Sequence, residues 1–198
     1  MTGDTLPALI IASHNAGKIA EFERILSGWW RIQPQATLGV TAVAETGLSF
    51  IENAILKARH ACRETGCASL ADDSGLVVPA LDGAPGLHSA RYSGGGDEAN
   101  NALLLHNMRE LRGEDRAAFY IAVLVLVRGP EDPAPLVTEG RWHGHVALAP
   151  RGDRGFGYDP LFVPRGERRH AAELSSEEKD GMSHRGLAVT QLLKHFGA

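Results

Sequence analysis

The sequence predicts a mixed α/β fold, and three observations carry that expectation. Strand-like and helix-like patterns alternate along the whole chain, short isoleucine- and valine-rich runs end at polar turns, and two β-rich stretches follow one another beyond Phe119. At about 150 residues per domain, 198 residues suit one large domain or two small lobes, and no repeat, linker or low-complexity tract divides them.

Residues 9–12 are an apolar run read as a strand. The polar turn SHNAGK then leads into a helix with Ile19, Phe22, Ile25 and Leu26 on one face and Gly28 as its stop. Ser49 followed three positions later by Glu52 is a capping box, which starts a second helix over residues 50–63 with Ile51, Ile55, Ala58 and Cys62 as its core stripe. Residues 68–71 form a short strand ending at Asp72 and Asp73, and residues 76–81 form another. The punctuated stretch 83–96, with Pro85, is a loop, and residues 99–111 return to helical spacing through Leu103, Leu104, Met108 and Leu111. Residues 119–127 are β-branched and aromatic, and residues 136–142 and 144–148 follow across GPEDPAP, which suggests antiparallel pairing within a mixed sheet. After the loop RGDRGFGYDP, residues 175–196 read as a helical turn and a final helix carrying Leu187, Leu192, Leu193 and Phe196.

Composition excludes several classes. With 43% hydrophobic residues the chain can bury a sizeable core, and a net charge of −4 argues against a phosphate-backbone binder, so no direct nucleic-acid partner is expected. Cys62 and Cys67 are too few for a disulfide framework or a zinc site. The beginning MTGDTLPALIIASHN is acidic where a signal peptide is basic, and no apolar run approaches the ~18 residues of a membrane span, so a soluble cytoplasmic protein is expected.

Chemistry concentrates at a few places. A polar glycine-containing loop between strand and helix, here SHNAGK, presents backbone N–H groups and a positive helix end to phosphate, and Lys18 adds a full charge. It is not a Walker loop, because Ala12 stands where the first glycine belongs and Ile19 where a magnesium-binding hydroxyl would follow; an ordinary N-cap loop would look the same. In ADDSGL, adjacent carboxylates repel unless a cation offsets them, which suggests Mg²⁺ at Asp72 and Asp73 with Glu45 as a further ligand; a solvated turn is the bland alternative. Ser74 lacks the preceding glycine of a nucleophile elbow. Asn53 and Lys57 share a helix face directed away from the expected core stripe, from which Lys57 could meet phosphate, while Glu52 reads as a cap.

Toward the carboxyl end, GFGYDP offers Phe156 and Tyr158 as flat surfaces on which a base could stack, or as core aromatics around a tight turn. His184 and Arg185 are donors that could read a 6-keto oxygen and would be left facing an amino group if adenine entered, and Ser183 before them also reads as a helix N-cap.

In this order, SHNAGK, ETGLSFIENAILKA, ADDSGL, GAPGLHSARYSG, GFGYDPLF and AELSSEEKDGMSHRG resemble the inosine triphosphate pyrophosphatase family, in particular its bacterial dITP/XTP branch, over nearly the whole chain. The resemblance implies an elongated mixed α/β fold, one domain over residues 1–198 with two lobes and a central cleft. It also implies a Mg²⁺-dependent homodimer that hydrolyses ITP, dITP or XTP to the monophosphate and pyrophosphate. Carried over by residue, Ser13, His14, Asn15, Ala16, Gly17 and Lys18 would hold phosphates, Asp73 would be general base and metal-linked, and Ser74 would touch substrate. Phe156, Gly157, Tyr158 and Asp159 match the base-binding loop, and Lys179, His184 and Arg185 the last substrate contacts. Glu45 matches an acidic position associated with metal, although Ala44 stands where some relatives carry a second glutamate. A Maf-like pyrophosphatase for other modified nucleotides and a non-catalytic nucleotide sensor are the rival readings, the latter disfavoured by a water-activating carboxylate.

Overall fold

In a computed structural model of the chain, residues 6–197 are described; residues 1–5, part of the stretch read above for a leader, and residue 198 lie outside the described residues. The elements run β1 (Ala8–Ile11), α1 (Ala16–Leu26), β2 (Arg31–Pro34), α2 (Phe50–Thr65), β3 (Ser69–Val77), α3 (Asp97–Asn107), β4 (Ala117–Val127), β5 (Leu136–Val146), β6 (Phe162–Pro164), α4 (Ser176–Met182) and α5 (His184–Lys194), with short 3₁₀ turns between some of them. The strands form one sheet in the order β2-β1-β3-β4-β5-β6. β1 pairs parallel with β2, Ala8 opposite Arg31, and parallel with β3, Ile10 opposite Ser69, whereas β5 and β6 are antiparallel, Gly144 opposite Pro164. The expected mixed sheet is present.

The chain divides into two compact units, the first made of Met1–Asp73, Val123–Thr138 and Val189–Ala198, the second of Ser74–Ala122 and Glu139–Ala188. In the first, β1 has a parallel neighbour on each side, and Leu9, Ile10 and Ile11 are buried on both of its faces, as a continuous apolar strand requires. Phe22 and Leu26 of α1 and Ala54, Ala58, Ala61 and Cys62 of α2 are also buried there. In the second unit, Tyr120, Trp142, Tyr158 and Phe162 anchor a core that includes Leu104 and Met108. Arg116 is buried in that unit and donates to the carbonyls of Val146 (2.7 Å), Met108 (2.8 Å) and Ala147 (2.8 Å), so its charge is hydrated by backbone dipoles instead of water.

Several sequence expectations are corrected. The two short strands around the aspartates are one, β3, so Asp72 and Asp73 lie mid-strand and not at a strand end. A mid-strand carboxylate pair defeats pattern reading because its stability comes from partners distant in sequence. Likewise residues 136–142 and 144–148 are a single strand, and the three-residue β6 is too short to show a period. The inner face of α2 is rotated from the expected stripe: Ile51 is exposed, and Asn53 is buried beside Ala54 and Ala58. In α5, Leu187 faces solvent, His184, Arg185 and Ala188 are buried in the second unit, and Val189 and Leu192 in the first. Phe196 meets Trp30 edge-on at 4.9 Å in the first unit.

Candidate active site

In the first unit, β1 delivers the chain to the loop 13–15, where small polar contacts set the start of α1. Asn15 is the N-cap, its side-chain oxygen accepting from the Lys18 N–H at 3.0 Å, and Ser13 Oγ accepts from the Asn15 N–H at 3.1 Å. His14 is held at both ring nitrogens, by Gln35 Nε2 (3.0 Å) and the Val40 carbonyl (3.2 Å). Since the Gln35 amide nitrogen can only donate, Nδ1 is the acceptor and Nε2 carries the proton. The cap serves only the third helical N–H, so the N–H groups of Ala16 and Gly17 have no intrahelical partner, as at any helix start. Lys18 Nζ donates to Asp72 Oδ1 at 2.6 Å, tying this helix end to β3.

Adjacent strand residues project to opposite faces, so each aspartate acquires its own lysine. Lys57, from α2, donates to Asp73 Oδ1 at 2.6 Å and to Glu45 Oε1 at 3.1 Å. Glu45 is brought there by a loop that α2 grips: Asn53 Oδ1 accepts from the Gly47 N–H at 2.8 Å, and a Cβ on Gly47 would lie 2.6 Å from Glu52 Cβ. Only glycine fits that approach. Asn53 and Lys57 do share a face, but it is the inner one, a correction that follows from the rotated stripe of α2. Glu52 is a cap, accepting from Ser49 Oγ (2.7 Å) and the Leu48 N–H (2.9 Å).

Electrostatics in this group follow its composition, three carboxylates (Glu45, Asp72, Asp73) with two ammonium groups (Lys18, Lys57). Burial pushes the Asp73 carboxyl above its ordinary value, and Lys57 and Lys18 offset that only in part while Glu45 adds to it. Burial works against the Lys57 ammonium, yet Asp73, Asp72 and Glu45 more than compensate and hold its pKa above the usual lysine value. Burial thus sets the direction for Asp73, and the surrounding carboxylates set it for Lys57. Asp73 Oδ2 accepts no hydrogen bond among the described residues. Among the described residues no three His, Cys, Asp or Glu side chains gather as a metal cage, so Glu45, Asp72 and Asp73 do not converge as one three-ligand set. Glu45 and Asp73 do converge on a common cation, Lys57, and hard carboxylate oxygens are the donor type that suits Mg²⁺.

In the second unit, β3 continues into Ser74, whose Oγ accepts from Arg185 at 2.9 Å. Arg185, at 1% exposure, is among the largest fully buried side chains. His184 stacks on Tyr120, with ring centroids 4.7 Å apart and an interplanar angle of 9°. Both are placed by Ser183, whose Oγ caps α5 through the Gly186 N–H (3.1 Å), and by Gly140 of β5, where a Cβ would lie 2.0 Å from the His184 carbonyl oxygen. The cap and the functional helix start anticipated at Ser183 are thus one feature. Lys179 is ion-paired with Asp159, which also accepts the Phe156 N–H at 3.0 Å. The Phe156 ring lies 4.7 Å from Lys179 Nζ and 5.9 Å from Arg185 Cζ. Tyr158 does not accompany it: the ring is in the core, its hydroxyl donating to the Ser89 carbonyl at 2.9 Å, so Phe156 alone presents a face. Burial raises the Tyr158 phenol well above its ordinary value.

Sequence reading missed Asn53, Asp97 and Asn101 as structural supports of these groups. A buried polar residue on an otherwise alanine-lined helix face was the available signal for Asn53.

Comparison with known proteins supplies the rest. Residues 9–195 match the model of the Ham1 family. A dITP/XTP pyrophosphatase of Xanthomonas oryzae pv. oryzae is 53% identical over 187 residues, covering 93% of this chain and 94% of that protein. One of Bordetella parapertussis is 51% identical over 98% of this chain and 92% of that protein. Among solved structures, a HAM1 protein of Coxiella burnetii superposes with a TM-score of 0.88 at 41% identity, over 96% of this chain and 98% of that one.

Proposed function

The chain belongs to the Ham1 family, and we propose that it is a nucleoside triphosphate pyrophosphohydrolase that converts deaminated purine nucleotides, ITP, dITP and XTP, to the monophosphate and pyrophosphate. The relatives' activity as dITP/XTP pyrophosphatases supports this reading. The observation that carries it is the junction of Asp73, Lys57 and Glu45: a buried carboxylate with one oxygen unengaged, beside a lysine and a second carboxylate.

Hydrolysis between the α and β phosphates needs a water in line with the leaving group. Asp73 Oδ2 accepts that water's proton as its oxygen bonds the α phosphorus, and the electron pair of the broken P–O bond departs with pyrophosphate. The raised pKa of Asp73 makes it a stronger base than an ordinary carboxylate. Lys18 and the free N–H groups at the start of α1 bind the phosphate oxygens, with Ser13, His14 and Asn15 shaping that turn. A triphosphate would be repelled by a group with more carboxylates than lysines, which supports Mg²⁺ as cofactor, held by Glu45 and Asp73 with Asp72 nearby. When bound, the ion neutralises charge on the phosphates. Asp72 positions Lys18.

In the second unit, Phe156 stacks on the base while His184 and Arg185 donate to its 6-keto oxygen, with Lys179 and Ser74 holding Asp159 and Arg185 in place. Keto recognition separates ITP from ATP but not from GTP, which shares the keto group. The proposal includes a homodimer, implied by the family resemblance, and a cytoplasmic location, expected from the sequence composition; among the described residues no helix is long and apolar enough to cross a membrane. The test is incubation with ITP, XTP, ATP and GTP, with and without Mg²⁺, measuring pyrophosphate separately from orthophosphate. Pyrophosphate from ITP and XTP only with Mg²⁺ is expected; orthophosphate release, or binding of ITP without turnover, overturns it.

A further inference from the structure

Phe156 can stack on a base only if its loop holds still, and the backbone around it is held from both sides. On one side, Asp159 accepts the Phe156 N–H at 3.0 Å and is itself locked by Lys179. On the other, α3 presents Asp97 and Asn101, four residues apart and so on one helix face. Asp97 Oδ2 accepts the Gly157 N–H at 2.6 Å, and Asn101 Nδ2 donates to the Gly157 carbonyl at 2.8 Å. Both polar groups of one peptide position are therefore gripped by side chains from a single helix, at a residue whose φ of +63° admits glycine. The second hydrogen of Asn101 Nδ2 goes to the Asp97 carbonyl at 2.8 Å, which fixes the amide's own orientation. Two successive N–H groups, those of Phe156 and Gly157, are thus each consumed by a carboxylate, and such charge-assisted bonds are the stronger kind. At these two positions the loop has a ring to offer and no N–H.

We propose that Asp97 and Asn101 are positioning residues for base recognition: by clamping Gly157 they fix the plane of the Phe156 ring. This rests on the reading of Phe156 as the base-stacking surface. The base is remote from the bond that breaks, so its contact is the same in ground and transition states, and loosening it raises KM while sparing kcat.

The test is a double-mutant cycle on ITP hydrolysis with Asp97→Ala, Asn101→Ala, Phe156→Ala and the Asp97→Ala/Phe156→Ala pair, with Asp97→Asn as the conservative variant. Base–aromatic stacking is strong enough that partial loss raises KM about tenfold, with kcat within about twofold. Asp97→Asn, whose amide oxygen still accepts the Gly157 N–H, should recover most of the loss, and in the Phe156→Ala background Asp97→Ala should change KM less than about twofold. Additive effects, or a fall in kcat at constant KM, overturn the clamp. If Phe156→Ala raises KM while Asp97→Ala and Asn101→Ala do not, the clamp alone fails. If Phe156→Ala leaves KM unchanged, the stacking reading fails and the clamp falls with it.

Discussion

Gly140→Ala tests whether the close seat of α5 matters to both stability and chemistry. A Cβ there would stand 2.0 Å from the His184 carbonyl oxygen and 2.7 Å from the Ala188 nitrogen, against the 3.4 Å at which ordinary contact begins. Both obstacles are backbone, so no side chain can swing aside, and the first turns of α5 would have to withdraw by about 1.4 Å. Overpacking of this kind costs about 1–3 kcal/mol, and the rigidity of both partners places this substitution near the top, about 3 kcal/mol. For a chain of this size that lowers Tm by about 6–12 °C. His184 and Arg185 move with the helix, and a displacement of about 1 Å can cost about a hundredfold in rate. Thermal unfolding followed by circular dichroism reads the first quantity, and kcat/KM for ITP, measured well below the variant's Tm, reads the second. A Tm within about 2 °C of the parent would refute the packing argument. A lowered Tm with unaltered kcat/KM would show that the reaction does not use the start of α5.

Four further outcomes are expected. Asp73→Asn should lower kcat for ITP by about 10²–10⁴, the range of a general base, and a loss under about fivefold would remove Asp73 from proton transfer. Because the folded chain holds the Asp73 proton more tightly than the unfolded one, its ionisation subtracts stability as pH rises through and just above the ordinary carboxyl range; a Tm–pH profile of Asp73→Asn should lack that decline. Lys57→Met deletes the cation that opposes the upward shift of Asp73, so the acidic limb of the kcat/KM profile should move to higher pH, and an unmoved limb would uncouple the pair. His184→Ala or Arg185→Ala should narrow the ratio of kcat/KM for ITP to that for ATP by about tenfold or more, while an unchanged ratio would place base selection elsewhere.

The parts of the fold legible in the sequence were those with local causes. The Ser49 capping box, the isoleucine run of β1 and the valine-rich β4 carry their own signals, and each element is present within a few residues of its expected bounds. What escaped depended on partners distant in the chain. β3 could not be read through Asp72 and Asp73 because Lys18 and Lys57, which make a mid-strand carboxylate pair tolerable, come from two different helices. The core row of α2 was misjudged because a large apolar residue, Ile51, faces solvent while three alanines face inward. Tyr158 and Phe156 are indistinguishable in sequence as candidate stacking surfaces, and only the path of the chain sends one ring into the core and leaves the other outside it.

The alanine face of α2 has a consequence for reach. A helix seated on methyl groups lies close to its neighbours, and the reach of a lysine is limited to its four methylenes. Widening that seat by one large side chain, as in Ala58→Leu, would draw the Lys57 ammonium away from Asp73 without altering either charged residue. The calibre of the least conspicuous residues on the helix thereby limits which substitutions the ion pair can survive.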